Sequence, residues 1–300
     1  MATHHGRRRH SAFAGGLAIL ALCLGFTASP ATAAPPPPVD YVALGDSSTA
    51  GTGADGLYAP LPAIPCWQSE GGYADIVDAS PRVTLVVNAA CHGAFLGPIG
   101  TSKPVAQQIA ELSGGALNSG TDLVSITAGA LDAGSGLALQ ACSTPDTALC
   151  AATVTGVLEN LKSGALQTAL ATTYQGIQLA APDAVIAVLG YPRLFDPSQG
   201  AILINGIPVV PVQNQILVNQ AIDALNATIA AAVQSSGTNA VFIDVTKRFL
   251  GHAVNSDNPW IVLDLTQPFA DANFHPNDSG HGAYASALLS SVKLTQLAKR

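Results

Sequence analysis

Between residues 40 and 245 the chain alternates short, almost wholly apolar runs with longer stretches in which apolar residues recur every three or four positions. The short runs fall at 40–44, 83–88, 122–127, 184–190 and 240–245. Leu85-Val86-Val87 and Ala184-Val185-Ile186-Ala187-Val188 are typical of them. A strand with no polar alternation is one covered on both faces. The longer stretches predict helices at 104–113, 152–181 and 212–235, and a further helical pattern runs from Ala283 to Leu294. Strand and helix in regular alternation predict an α/β fold, a three-layer α/β/α sandwich around a central parallel sheet. No internal repeat or second domain interrupts this pattern.

Composition supports one well-filled domain. The 300 residues are 48% hydrophobic and only 10% charged, enough for a full core. The net charge of −7 leaves no basic field for nucleic acid, which is therefore not an expected partner. The first 33 residues have a different character: a basic start at Arg7, Arg8 and Arg9, an apolar run from Ala12 to Phe26, and small residues at Ala31-Thr32-Ala33. That is the pattern of an export signal cleaved after Ala33, which predicts a secreted or cell-wall-associated protein. The apolar run is shorter than the roughly 20 residues that cross a bilayer, so no membrane span is expected after cleavage. Arg8-Arg9 before the run leaves a twin-arginine route open. Residues 34–39, with the tract Pro35 to Pro38, read as an extended linker, and 40–300 as the folded domain.

Cleavage removes Cys23 and leaves Cys66, Cys91, Cys142 and Cys150. Four cysteines in an oxidising compartment predict two disulfides, and the pairing that closes local loops is Cys66–Cys91 with Cys142–Cys150. No Cys-x-x-Cys spacing supports a zinc site, and no metal is expected.

In a sheet of this kind, ligands sit where the carboxyl ends of the strands lead into helices. The first strand, Tyr41 to Leu44, runs directly into Gly45-Asp46-Ser47. Gly, Asp and Ser are ordinary turn residues, and the tripeptide alone says little. A phosphate-binding loop would need a Gly-Lys-Ser/Thr sequence, which is missing. The Gly-x-Ser-x-Gly elbow of the α/β-hydrolases is missing too. The far end of the chain changes the picture, because Asn273-Phe274-His275-Pro276-Asn277-Asp278-Ser279-Gly280-His281 sets two histidines in a polar loop before the last helix. A serine nucleophile needs a base, and neutral imidazole fills that role near pH 7. His281 and His252 read as structural, and His92 as a loop residue beside the pocket.

Taken together, these segments resemble the GDSL or SGNH hydrolases, and in particular their secreted actinobacterial lipase and esterase branch. Gly45-Asp46-Ser47 is similar to the first block of that family and Asn88-Ala89-Ala90-Cys91-His92-Gly93-Ala94 to the second. Ile126-Thr127-Ala128-Gly129-Ala130-Leu131-Asp132 occupies the place of the third, and His275-Pro276-Asn277 matches the last. Cys66-Trp67-Gln68-Ser69 with Tyr73, and Phe249 to His252 before Pro259-Trp260, also look like that branch. The resemblance implies a flavodoxin-like sandwich and a monomeric serine esterase or lipase with no cofactor. Ser47 would be its nucleophile, His275 its base, and the N–H groups of Ser47 and Gly93 its oxyanion hole. The implied substrate is a lipid, a short-chain ester or an acetylated glycan.

Two positions depart from the family pattern. The third block normally carries an asparagine whose amide donates to the oxyanion; here the residue is Leu131. The family's aspartate three positions before the histidine is replaced by Ala272, so the partner of His275 is either the Asp271 carboxylate or the Ala272 carbonyl. The missing amide also admits a non-catalytic binding protein on the same fold, and the alanine-rich, low-charge composition admits a structural protein of the cell wall.

Overall fold

The computed structural model describes residues 37–61 and 66–297. The export signal and all but the last residues of the linker lie outside them. In chain order, β1 (Val39–Gly45) is followed by the short strands β2 (Tyr58–Pro60) and β3 (Trp67–Ser69), then α1 (Tyr73–Asp78), β4 (Val83–Asn88), α2 (Val105–Leu112) and β5 (Leu123–Thr127). Four helices follow: α3 (Ala130–Ala133), α4 (Ser135–Cys142), α5 (Thr147–Lys162) and α6 (Ala165–Ala180). The chain continues through β6 (Val185–Leu189), the hairpin β7 (Ile202–Ile204) and β8 (Ile207–Val210), α7 (Val212–Ser236), β9 (Ala240–Ile243) and α8 (Asp278–Ser291).

Five strands form one parallel sheet in the order β4-β1-β5-β6-β9 with helices packed against it, the three-layer sandwich read from the sequence. The central strand β5 is buried at every position, and β1 at all but Asp40. The edge strands β4 and β9 leave Val86 and Val241 exposed, because only one neighbour covers each. β1 begins at Val39, one residue earlier than the reading of 34–39 as linker, and Val39 is fully buried.

The helical layers differ more from expectation. The pattern at 152–181 is two helices, α5 and α6, parted at Ser163-Gly164, where Gly164 has φ 78°. Glycine reaches that left-handed conformation without a Cβ penalty, so the chain turns there although good helix formers flank it. The four-residue helix α3 and the antiparallel pairs β2–β3 and β7–β8 fall below the length at which periodicity is visible, and α4, as long as α2, lacks the one-sided apolar stripe that α2 has. The helix read at 283–294 is α8, which starts at Asp278, five residues before the apolar pattern, where the Asn277 side chain accepts from the Gly280 N–H at 3.1 Å, and a short α9 (Leu294–Leu297) follows it. α7 has the length and hydropathy to cross a membrane, but packs along α5 and α6. Both local disulfides, Cys66–Cys91 and Cys142–Cys150, are present.

Candidate active site

β1, β4 and β5 end side by side, and the loops leaving them meet above the sheet. The chain adds β4 on one side of β1 and β5 on the other, which opens a crevice at the shared carboxyl ends. Ser47 leaves β1 there, Gly93 follows β4, and Leu131 follows β5.

Side chains fix the turn that carries Ser47. Gly45 lies against β5 with φ 127°, and a Cβ on it would stand 2.1 Å from the Thr127 carbonyl oxygen, so no other residue fits. The fully buried Gln108 of α2 takes the Gly45 N–H at 2.8 Å and donates to its carbonyl at 2.9 Å. Next along the turn, the buried Asp46 carboxylate accepts from the Ser48 N–H (3.1 Å), the Thr127 hydroxyl (2.7 Å) and the Tyr191 hydroxyl (2.5 Å). Burial pushes this carboxyl up to about 6, and the three donors hold it back from rising further. The polar contacts continue inward from Thr127 to Thr49, Tyr73, Ser125 and Tyr41, each 2.6–3.0 Å from the next. Such a satisfied buried chain rigidifies its surroundings. Neither Tyr191 nor Gln108 is evident in the sequence, because a glutamine in a helix and a tyrosine after a strand match ordinary surface and core patterns.

The loop that carries His275 is held mostly by main-chain bonds, together with the buried Asn273 side chain, which accepts the Asp264 N–H at 2.6 Å and donates to the Gln267 carbonyl at 2.8 Å. Phe274 N–H donates to the Val262 carbonyl and Val262 N–H to the His275 carbonyl, both at 2.8 Å. Phe274 adopts φ 63°, a strained value for a bulky residue, and packs edge-on against Phe195. Gly53 allows the loop to come close, since a Cβ there would meet the Pro276 carbonyl oxygen at 2.4 Å.

The two arms bring His275 Nε2 to 2.7 Å from Ser47 Oγ. The other ring nitrogen, Nδ1, lies 3.0 Å from the Asn273 carbonyl oxygen. A carbonyl only accepts, so Nδ1 carries the proton and Nε2 is free to accept from the serine. This partner is neither of the two expected. The Asp271 carboxylate is engaged elsewhere, accepting from the Tyr58 hydroxyl at 2.8 Å and facing His92 Nε2 at 3.5 Å. The Ala272 carbonyl accepts the backbone N–H of His275 itself at 3.1 Å. Burial, and then the neighbouring His92 ring, push the His275 imidazole down to about 4, with the Asn273 carbonyl opposing.

Gly93 has φ 75°, and a Cβ there would meet Ser102 Oγ at 2.8 Å. Among the described residues no protein acceptor takes the N–H of Ser47 or of Gly93. Leu131 lines the same cavity, of about 260 Å³, as Ser47, Gly93 and His275. His92 also faces this cavity, with Nδ1 3.1 Å from the Thr52 hydroxyl; burial lowers its pKa and Asp271 opposes the shift. The other two histidines among the described residues lie off the cavity. His281 is fully buried, between the Tyr73 N–H and the Thr52 carbonyl, and His252 stacks on Trp260.

The sequence profile of the GDSL-like lipase/acylhydrolase family matches residues 43–283. A lipase of Streptomyces rimosus is 33% identical over 273 residues, covering 91% of this chain and 94% of the relative. The crystal structure of an extracellular lipase from Streptomyces rimosus superposes with a TM-score of 0.72 at 31% identity, over 85% of this chain and all of that one. A phospholipase A1 from Streptomyces albidoflavus superposes with a TM-score of 0.70 at 28% identity, over 84% and 98% of the two chains.

Proposed function

We infer the mechanism from a fixed premise: this chain belongs to the GDSL-like lipase/acylhydrolase family and is an ester hydrolase. Ser47 is the nucleophile and His275 the general base. His275 Nε2 takes the hydroxyl proton as Ser47 Oγ bonds to the ester carbonyl carbon. The N–H groups of Ser47 and Gly93 then hold the oxyanion. Collapse of the tetrahedral intermediate breaks the bond to the alcohol, which leaves with the proton from His275. Water enters by the same route, giving up a proton to His275 and releasing the carboxylic acid and free Ser47. The observation that carries this reading is the 2.7 Å contact between Ser47 Oγ and a ring nitrogen whose partner across the imidazole is a carbonyl acceptor.

The Asn273 carbonyl holds the ring in the required tautomer without adding a full negative charge, and so stabilises the imidazolium less than a carboxylate does. With Leu131 in place of an amide, the oxyanion hole has two backbone donors. One lost donor of this kind costs on the order of 3–4 kcal/mol in the transition state.

Treatment with a fluorophosphonate tests the assignment: intact and peptide mass should place one adduct on Ser47 and none on the Ser47→Ala protein. An adduct on Ser48, or none at all, overturns it. The leader-like first 33 residues, the two disulfides and the extracellular lipase among the relatives support export as the setting of this activity. Protein recovered from culture medium should then begin at Ala34.

A further inference from the structure

Tyr191 follows β6 and stands in the wall of the Ser47 cavity without belonging to the Ser47–His275 pair. Two side chains hold the backbone at this point. Asn226 of α7 takes the Tyr191 N–H at 2.9 Å and donates to the Tyr191 carbonyl at 2.8 Å, and Tyr284 of α8 donates to the preceding Gly190 carbonyl at 2.9 Å. The ring is thereby aimed at Asp46, where its hydroxyl donates to Oδ2 at 2.5 Å. The Ala130 N–H approaches the same hydroxyl oxygen from the loop after β5. A phenylalanine would close this wall equally well; what tyrosine adds is one oxygen that both donates and accepts.

The two oxygens of Asp46 have different company. Oδ1 accepts from the Ser48 N–H and the Thr127 hydroxyl, whereas Oδ2 meets Tyr191. The other titratable groups around the carboxyl are Asp132 after β5, Tyr73 of α1 and Tyr284 of α8. Burial keeps these tyrosines neutral, and Asp132 adds to the rise that burial imposes on Asp46. With its value at about 6, Asp46 changes charge close to neutrality. Ionised, it accepts at both oxygens. Neutral, it can keep the donors on Oδ1 only if the proton on Oδ2 finds an acceptor. Tyr191 supplies that acceptor once its own proton turns toward the cavity.

We propose that Tyr191 is a positioning residue for Ser47: its hydroxyl, donating or accepting as required, holds the Asp46 carboxyl in one set of contacts in both charge states and so keeps the Ser47 N–H aimed at the oxyanion. The inference rests on the mechanism above and adds a residue that acts through Asp46 alone. The link is short. The Asp46 N–H is anchored on the Thr127 carbonyl at 2.9 Å and the Ser48 N–H on Asp46 Oδ1 at 3.1 Å, and the Ser47 N–H lies between these two anchors. With phenylalanine at 191, a neutral Asp46 must turn to place its proton, and the Ser48 anchor is lost.

The test is kcat against pH for p-nitrophenyl acetate, from mildly alkaline to mildly acid solution, on wild type and Tyr191→Phe. The wild type should be level through the titration of Asp46, because Tyr191 serves both of its states and His275 protonates only near 4. Removing a donor raises the Asp46 carboxyl further, so Tyr191→Phe should follow a one-proton curve with its midpoint above 6. Its rate should approach that of the wild type on the alkaline side and lie at least about tenfold below it on the acid side, within what a misplaced oxyanion donor costs. KM should stay within about twofold, since that donor acts in the transition state. A rate lowered by one factor at every pH marks a structural role and overturns the proposal, as does an unchanged profile or a wild-type curve that itself steps at about 6. Should Tyr191→Phe not fold, Asn226→Ala, which frees the Tyr191 backbone, should show a weaker form of the same step, and a level profile there overturns the proposal.

Fluorophosphonate labelling, read by peptide mass, separates this failure from that of the mechanism. Labelling of Ser47 that slows through the same step in Tyr191→Phe supports the role of Tyr191. Labelling of Ser47 at a rate independent of pH in that variant overturns the role and leaves the mechanism standing. An adduct on another residue overturns both.

Discussion

The two arms of the Ser47–His275 pair are built in different ways. The arm that carries Ser47, the proposed nucleophile, is defined by side chains: Gln108 grips Gly45 at both polar atoms, and Asp46 gathers three donors over a buried chain of hydroxyls. The arm that carries His275, the proposed base, is defined mostly by main chain, through the carbonyls of Val262 and Asn273, with the Asn273 amide as its one side-chain anchor to the 264–267 turn. A side-chain-defined arm is sensitive to residue type at each contact. An arm held mostly by main chain is sensitive to the path of the loop and, Asn273 apart, tolerant of the residues along it. The same contrast explains why an aspartate near His275 need not be the one that orients it.

Substitutions can break this comparison at several strengths. Ser47→Ala should remove at least about 10³-fold of p-nitrophenyl ester turnover at an almost unchanged melting temperature, whereas Ser48→Ala should retain activity. If Ser48→Ala is the inactive one, the nucleophile arm has been assigned to the wrong serine.

Acid should act next most strongly, and through both arms. His275 must be neutral to accept the proton, and its value near 4 keeps it so well below neutrality; activity should fall about tenfold per pH unit only below that point. Stability has its own sign. His275 and His281 both lie near 4 in the fold against 6.5 ordinarily, so between those values the unfolded chain binds more protons and stability drops as pH falls. Asp46 runs the other way between about 6 and 3.8, because its carboxyl is more easily protonated in the fold, and it offsets part of the loss. Thermal denaturation from pH 7 to 4 should show the net decline. A rise in stability over that range would contradict the burial of the two histidines.

Gln108→Leu strips the Ser47 arm of its clamp and leaves the buried Gly45 N–H unpaired, at about 1–3 kcal/mol, while the Gly45 carbonyl keeps the Cys91 N–H. Urea denaturation should register a loss of that size, with ester turnover falling alongside. Leu131→Asn should raise kcat about tenfold on an activated ester with little change in KM, if the new amide reaches the oxyanion. An unchanged rate would mean that the loop after β5 directs this side chain elsewhere. The smallest effect belongs to Asp271→Asn, expected to change kcat less than about threefold, since Asn273 holds the ring. A loss of several orders of magnitude would return the carboxylate to the mechanism.

The two arms also differ in how far the sequence reveals them. Gly45-Asp46-Ser47 at the end of an apolar strand is readable because strand, turn and nucleophile are contiguous and each has a residue-type signature. The five sheet strands are readable for the same reason: an apolar run between helical patterns has few other interpretations. A backbone carbonyl has no such signature, so nothing in Asn273 announces the partner of His275. Gly164 sits between two runs of strong helix formers and was hidden by them, which fused α5 and α6 into one predicted helix. Gln108 and Tyr191 act through contacts 63 and 145 positions away in the chain, beyond the reach of local pattern.

Ser47 and His275 are themselves 228 residues apart, joined by one contact that forms only when the C-terminal segment has docked. That segment includes α8, which packs on α1 and sends His281 between Tyr73 and Thr52. Enzymatic activity is thus a reporter of the whole chain's assembly. Local opening of the last 30 residues or so would silence the enzyme while the five-stranded sheet stayed folded, so inactivation on warming should precede loss of the sheet's circular-dichroism signal.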